Sequence, residues 1–600
     1  MNSDNYEFSK SSTPQSVESY SPYVDKQPNY LNDTNNGVYA NNSGLTLVNW
    51  DLTSIYNSSG FSDASDLYLA LPIVMVAAFS AAAPGSPILA PGTSAAYSLL
   101  SMKSNYQHMI HSIEIKSNGK VVEQMQPFVS VLKNFQLLST MSATDLKNLS
   151  VSLGMSEVLD NEKSVQWRTV APDAGKSSSG IGLCNNKAFG TVASGPDQLI
   201  QDPLQNGGTV NGAIQKRVSR FVDASKANGA SYNGVYGDNT AGAKTLSLMN
   251  ADQLNREYKP NFTIAPDGKM VWKDVALIPL KYISDFIDKL GLVKKLDLTI
   301  QIYCNCGSLS VPVTGANSDA TVYGKFTGST FSNICPFTVN HLNDETVYGG
   351  LPANVAQISA GLFLSRSPIT SVGPAGIDLG GISHPMPACR CYYSQIKLDP
   401  TRALSYTSEN RNKMIVYERF LFNQYNAIGN SNNFSQLIQS GIKNPISILI
   451  IPFISNTCLD KVTGGTAIGF NQYGSPFDTC PSSYSPVSLT ELQVTLGGVN
   501  VLSTPLTYTY ENFLNQVINA ESLTSSDIGV AVGLISQSWF EMNRVYFVDL
   551  TRGNPADKEM PRNLNVSFNN NSNVPIDIMV FTTYLDRAVI DIQTGLLTQK

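Results

Sequence analysis

The chain has 600 residues, more than one hydrophobic core usually organises, so at least two core-forming units are expected. Only 14% of residues are charged, against roughly 25% in average soluble domains, and the surface must therefore be covered by Asn, Ser, Thr and Tyr. The net charge of −6 and the absence of a basic tract argue against specific nucleic-acid binding, which needs clustered Lys and Arg, while 44 Gly and 31 Pro exclude collagen-like and wholly disordered readings.

Residues 1–43 are polar and without periodicity, with tyrosines 6, 20, 23, 30 and 39 scattered among them; they read as a flexible amino-terminal arm that orders, if at all, against a neighbouring subunit. The polar, acidic start, with Asp4 and Glu7, does not fit a secretory signal. Leu67 to Ala83 is the one apolar run of any length, but it contains Pro72 and Ser80 and ends at Pro84-Gly85. A buried strand, not a transmembrane segment, is expected there.

From this point the chain repeats itself, and self-comparison becomes the informative step. Asp66-Leu-Tyr-Leu-Ala-Leu-Pro72-Ile-Val-Met-Val is matched by Ile446-Ser-Ile-Leu-Ile-Ile-Pro452-Phe-Ile, with the prolines 380 residues apart. Ile113-Glu-Ile-Lys runs into Asn118-Gly119, a two-residue hairpin signal because both positions favour positive φ, and Leu492-Gln-Val-Thr-Leu496 runs into Gly497-Gly498, an offset of 379. Pro127 then precedes Phe128, Val131, Phe135 and Leu138, as Pro505 precedes Tyr510, Phe513, Leu514 and Val517; the three- and four-residue steps describe one face of a helix. Further along, Trp272 precedes Val275 to Leu280 as Trp539 precedes Val545 to Leu550. Leu296-Asp-Leu-Thr-Ile-Gln301 then matches Leu564-Asn-Val-Ser-Phe-Asn569 at an offset of 268.

Two nearly constant offsets in the same order mean one unit present twice. Their difference, about 112 residues, places an insertion in the first copy at about 142–270, a Gly-, Ser-, Asn- and Asp-rich stretch read as long loops. Tyr282, Phe286, Ile287 and Leu290 add one more helical face in that copy, closed by Gly291. Many short strands, few helices and long loops predict an all-β chain of antiparallel sandwiches, of which the jelly roll is the eight-stranded version. The domain expectation is a first unit over 44–340, a connecting segment over 341–384 and a second unit over 385–600.

Residues with chemical potential are few. Cysteines 184, 304, 306, 335, 389, 391, 458 and 480 are too sparse for a disulfide framework. Cys304-Asn-Cys306 and Cys389-Arg-Cys391 lack a third ligand type at finger spacing, so no metal site is expected and the thiols read as structural. Of the four histidines, 108, 111, 341 and 384, the first two lie on the apolar approach to the hairpin and read as hydrogen-bonded structural groups. Gly175-Lys176-Ser177 misses the phosphate-loop spacing, because Val170 stands where a glycine is needed. Gly464-Gly465 and Gly469 miss the dinucleotide spacing, and no cofactor is expected. Asp549 and Asp577 could imitate a glycosidase carboxylate pair, the one opening for a rival reading as a carbohydrate-binding or carbohydrate-active β-sandwich protein. Clustered tryptophans would be needed for that, and the four present are spread from Trp50 to Trp539.

The doubled series, carried by Asn105-Tyr-Gln-His-Met-Ile-His-Ser-Ile-Glu-Ile-Lys116 with Asn118-Gly119, the Pro279 to Leu290 helix, Asn444 to Phe453 and Val574 to Phe581, resembles the double jelly-roll major capsid proteins of the adenovirus–tectivirus lineage, above all those of virophages and polinton-like viruses. The resemblance runs from about residue 44 to the end and rests on order and doubling rather than on any single motif. It implies a homotrimer whose six jelly rolls form a pseudo-hexagonal capsomer of an icosahedral shell, a virion location after assembly in the host cytoplasm or a viral factory, and contacts with neighbouring capsomers and with penton and minor capsid proteins. It carries no catalytic residue, and no enzyme activity is expected.

Overall fold

The computed structural model describes residues 23–53, 60–81, 100–155, 262–312, 336–339, 355–365, 381–454, 487–520 and 533–599, apart from some positions within those stretches. In chain order the first part contains strands β1 (Tyr23–Asn32), β2 (Leu45–Asp51), β3 (Tyr68–Ala81), β4 (Ile110–Ser117) and β5 (Lys120–Glu123), helices α1 (Val129–Thr140) and α2 (Ala143–Leu153), strand β6 (Met270–Pro279), helix α3 (Asp285–Leu290), and strands β7 (Leu298–Asn305), β8 (Gly307–Pro312), β9 (Val355–Leu364) and β10 (Arg390–Leu398). The second contains α4 (Pro400–Glu409), β11 (Asn412–Ile428), β12 (Asn433–Ile442), β13 (Pro445–Ile454), β14 (Leu489–Leu496), β15 (Val499–Asn500), α5 (Tyr510–Asn519), α6 (Gln537–Asn543), β16 (Tyr546–Asp549), β17 (Arg562–Asn570), β18 (Ile576–Asp591) and β19 (Leu597–Gln599).

A jelly roll is a long hairpin rolled up, so its eight strands pair first with eighth, second with seventh, third with sixth and fourth with fifth. The second part meets all four conditions: β11 pairs β18, β12 pairs β17, β13 pairs β16 and β14 pairs β15, every pair antiparallel. The sheets are β11-β18-β13-β16 and β12-β17-β14-β15. Alternation writes this into the sequence: along β17 every second side chain, Leu564, Val566 and Phe568, is buried, and Asn565 and Ser567 between them are not.

The first part repeats the scheme, with β2·β7, β3·β6 and β4·β5 in place. Its eighth position differs. The strand that follows β7 does not return to β1; β8 pairs β9, β9 pairs β3 from Ile73 to Ala81, and β10 lies between β1 and the first residues of β3. The fold is therefore two tandem antiparallel jelly rolls, the first completed by chain from beyond its own seventh strand.

This pairing redraws three expected boundaries. Strand β10 lies in the stretch assigned to the second unit, yet its ladder joins it to β1 and β3 of the first. Strand β9 lies in the expected connecting segment and is part of the same sheet. Residues 23–32, assigned to the arm, form β1, held by nine register partners on β10 and by the tilted contact of Tyr30 with Tyr392, which itself stacks on Tyr68. Its side chains are mostly exposed, so the ladder rather than an apolar stripe holds it, and periodicity gives no sign of it. In the expected insertion, residues 143–153 are helical and most of the remainder lies outside the described residues.

The other landmarks lie on equivalent elements. Pro72 sits on β3 between the three residues paired to β10 and the run paired to β9, and Pro452 sits on β13 beyond the reach of β16. Each missing N–H thus falls where one side of the strand has no ladder partner. Both hairpins form, with Asn118, Gly119, Gly497 and Gly498 at positive φ as their turn requires. Leu298 and Leu564 occupy the same rung, opposite Ser117 and Leu496, so the true offset is 266 rather than 268. A two-residue slip keeps side chains on the same face, which is why the sequence pattern tolerates it. Trp272 and Trp539 are not equivalent, since the first lies in β6 and the second on α6.

Candidate assembly surfaces

What the geometry of the described residues builds is a junction between the two halves and a set of open edges. The junction forms around α1. Its amphipathic pattern predicts one buried face, but ten of its twelve residues are buried, including Ser130, Lys133 and Asn134, because sandwich one packs on one side and sandwich two on the other. Phe135 meets Phe513 edge-on at 6.2 Å between ring centroids and Phe547 at 6.0 Å, while Phe128 meets Phe422 at 5.0 Å. On the same seam Phe286 of α3 packs against Tyr417 of β11 at 5.2 Å. The buried core runs through the seam without a break.

Polar groups at the seam bond across it. The Tyr417 hydroxyl donates to the Val122 carbonyl at 3.2 Å, the Glu418 amide donates to Asp285 Oδ2 at 2.7 Å, and Gln136 Nε2 donates to Glu418 Oε2 at 3.1 Å. Tyr406 donates to the Leu292 carbonyl at 2.7 Å, and the Leu534 amide donates to the Leu138 carbonyl at 2.8 Å. At the tip of the first hairpin Asn118 Nδ2 donates to the Gly595 carbonyl and Lys120 Nζ to that of Leu597. The bonds of the buried Tyr417 and Tyr406 hydroxyls satisfy groups that burial would otherwise penalise. Close backbone approach also matters: a Cβ on Gly533, which sits at φ +51, would lie 2.5 Å from the Leu138 and Ser139 carbonyl oxygens.

One ionisable group lies inside this seam. Glu123, buried at the end of β5, accepts from the Ser284 hydroxyl and is pushed up to about 7, first by desolvation and further by Asp285, with Ser284, Lys133 and Arg419 opposing. Sequence reading passed over it, because a lone Glu after a hairpin carries no signal of burial.

The residues singled out for chemistry do not come together as a site. Cys304, Cys306, Cys389 and Cys391 are all free and buried, with burial pushing each thiol up, Cys306 and Cys391 to about 12. Among the described residues no group of three or more His, Cys, Asp or Glu is arranged to hold a metal ion. His108 lies in a short 3-10 turn rather than on the strand, its Nε2 3.0 Å from Asn134 Nδ2, and His111 on β4 is lowered to about 4 by burial. Asp549 caps the turn at Thr551, and Asp577 accepts from the Ala427 amide, whose residue has positive φ. Their rungs on β13 are Ser447 and Phe453, about 20 Å apart along the strand, beyond the separation of a glycosidase pair. Trp50 and Trp272 are buried and form no sugar-binding platform. Cys184, Cys335, Cys458, Cys480, His341, Trp167, Gly175 to Ser177 and Gly464 to Gly469 lie outside the described residues.

The outer surface carries the remaining features. Strand β12 is the edge of its sheet, paired only with β17 among the described residues, and contains no charged residue. Its counterpart β2 is flanked on that side by the short strand Asn41–Asn42. Exposed large apolar side chains include Leu404, Met414, Leu437, Val499 and Leu596. Among the described residues no helix is long and apolar enough to cross a membrane.

No protein-family model matches the chain, and no curated protein matches it. Among solved structures it is similar to a chain of the Sputnik virophage seen by electron cryo-microscopy, at 10% identity and a TM-score of 0.49, over 98% of this chain and 90% of that one. It is similar to the mavirus major capsid protein at 10% identity and a TM-score of 0.42, over 98% and 93%, and to the Faustovirus major capsid protein at 10% identity and a TM-score of 0.34, over 96% and 93%.

Proposed function

We propose that this protein is a major capsid subunit that works by self-association: three chains form a pseudo-hexagonal capsomer, and capsomers tile the icosahedral shell of a DNA virus. The observation that carries the reading is the locked pair of jelly rolls. Two copies of one sandwich, held at fixed orientation by a continuous apolar seam, let three identical chains present six similar units, which a single-sandwich subunit achieves only with six chains. The resemblance drawn from the doubled sequence series implies the same fold and the same role.

The surface chemistry supports it. Large obligate interfaces disfavour charge, because ionic groups lose hydration there, and 14% charged residues with a charge-free edge strand meet that condition. Penton and minor capsid proteins would be the remaining partners, and the virion the final location, after assembly in the host cytoplasm or a viral factory. Negative-stain microscopy of the purified protein tests the reading: hexagon-outlined particles with threefold stain are expected, and isolated bilobed monomers at all concentrations would refute it.

A further inference from the structure

The contact between the two jelly rolls of one chain is directional, and the second jelly roll carries an unused copy of it. In the first, the hairpin tip Asn118–Lys120 reaches the turn at Gly595–Leu597 that follows the eighth-position strand of the second. The rungs identify its counterpart. Lys120 pairs Ser117 as Val499 pairs Leu496, so Val499 stands where Lys120 stands. Tyr392 pairs Tyr68 as Thr582 pairs Ile448, and Tyr68 and Ile448 each lie four residues before the matched prolines. Positions 392 and 582 are 190 apart, and that separation carries Gly595 and Leu597 onto Ser405 and Thr407, in the middle of α4.

Among the described residues no second jelly roll of the same chain covers the second hairpin. Its residues Gly497 to Asn500 are all exposed. Val499, at 71%, and Leu404 on α4, at 74%, are the two most exposed large apolar side chains among the described residues. Val499 lies at the position the repeat equates with Lys120, and Leu404 lies one residue before the position it equates with Gly595, on the same helix as both equated residues. The helix that follows each hairpin agrees: α1, covered by the second jelly roll, buries ten residues, whereas α5, its equivalent, buries three of its ten. A valine in place of the lysine suits a contact with leucine, since both lose water on meeting.

We propose that the Val499 hairpin of one chain docks on the α4 helix of a second copy at Leu404, continuing between chains the junction that already joins the two jelly rolls within a chain. The contact is head-to-tail, so it closes a ring or runs on as a filament. A step from jelly roll to jelly roll near one sixth of a turn closes it at three chains. The inference rests on the self-association reading and names the surfaces that perform it.

Both side chains are exposed in the single chain, so V499D and L404D leave folding intact, read as an unchanged circular-dichroism melt. Light scattering should show the concentration at which the oligomer dissociates rising about tenfold or more in each. The decisive readout is a V499C/L404C double variant treated with a short bismaleimide, with each single variant and the parent as controls. Covalent species of two and three chains, absent from the controls and ending at three, are expected from the double variant. An assembled protein whose double variant gives no such species, or only links within one chain, overturns the proposed contact and leaves self-association standing; a parent that is monomeric throughout overturns the self-association reading itself.

Discussion

The two jelly rolls solve the same closure problem differently. In the second, β18 follows β17 directly and pairs β11 from Asn412↔Asp591 to Ile428↔Ile576, with β13 on its other side from Pro445↔Tyr584 to Ile454↔Ile576 and β19 beside its last residues. In the first, the same slot between β1 and β3 is shared by β10, which covers three residues of β3, and β9, which covers Ile73 onward. One sandwich takes its eighth strand directly after its seventh, and the other only after two intervening strands, β8 and β9. The lesson is that a repeat in sequence locates a closing strand only where the two copies connect it alike; a strand delayed by intervening chain has the right pairing at an unexpected place in the sequence.

That comparison can be broken at its seam and at its closing strand. The largest effect is expected at Phe135, wholly buried between the halves: Phe135→Ala should cost about 3–5 kcal/mol in thermal or denaturant unfolding, and a loss below 1 would mean the halves are not energetically joined. Cys391→Pro comes next. Cys391 is buried with Leu31 on one side and Leu69 on the other, so losing its ladder bond and fixing φ should cost about 3 kcal/mol, with hydrogen-exchange protection lost first in β1.

The seam should also respond to pH through Glu123. Its carboxyl titrates near 7 when folded, against 4.5 for the unperturbed group. A raised folded value means the protonated form is favoured, so its contribution is complete below about pH 4.5 and is lost as pH rises through 7. The full span is of order 3 kcal/mol. Melting between pH 5 and 8.5 should therefore decline more steeply in the parent than in Glu123→Gln, and parallel curves would show that the side chain is not buried against Ser284 as described. The smallest effect belongs to Tyr417→Phe, which leaves the Val122 carbonyl without its donor and should cost about 1–2 kcal/mol without altering assembly.

Much of this architecture was legible in the sequence. The prolines at 72 and 452, both hairpins, the helix after each and the paired seventh strands all sit on equivalent elements, because local chemistry dictates them: missing N–H groups, positive φ and apolar periodicity. What escaped has physical causes. Strand β1 is an exposed edge held by backbone bonds, so it has no apolar signature. Helix α1 is buried all round by a partner that its own sequence cannot reveal, and Glu123, Tyr417 and Asp285 acquire their roles only from across the seam. The Leu404–Val499 relation was equally hidden, because it depends on knowing which strand fills the eighth slot.

The central claim is that the doubled sandwich exists to associate with itself. Size-exclusion chromatography with light scattering on the intact chain tests it most directly: a single species at three times the 64.9 kDa chain mass, persisting on dilution through the micromolar range, is the predicted result. A species of one chain mass throughout that range contradicts it.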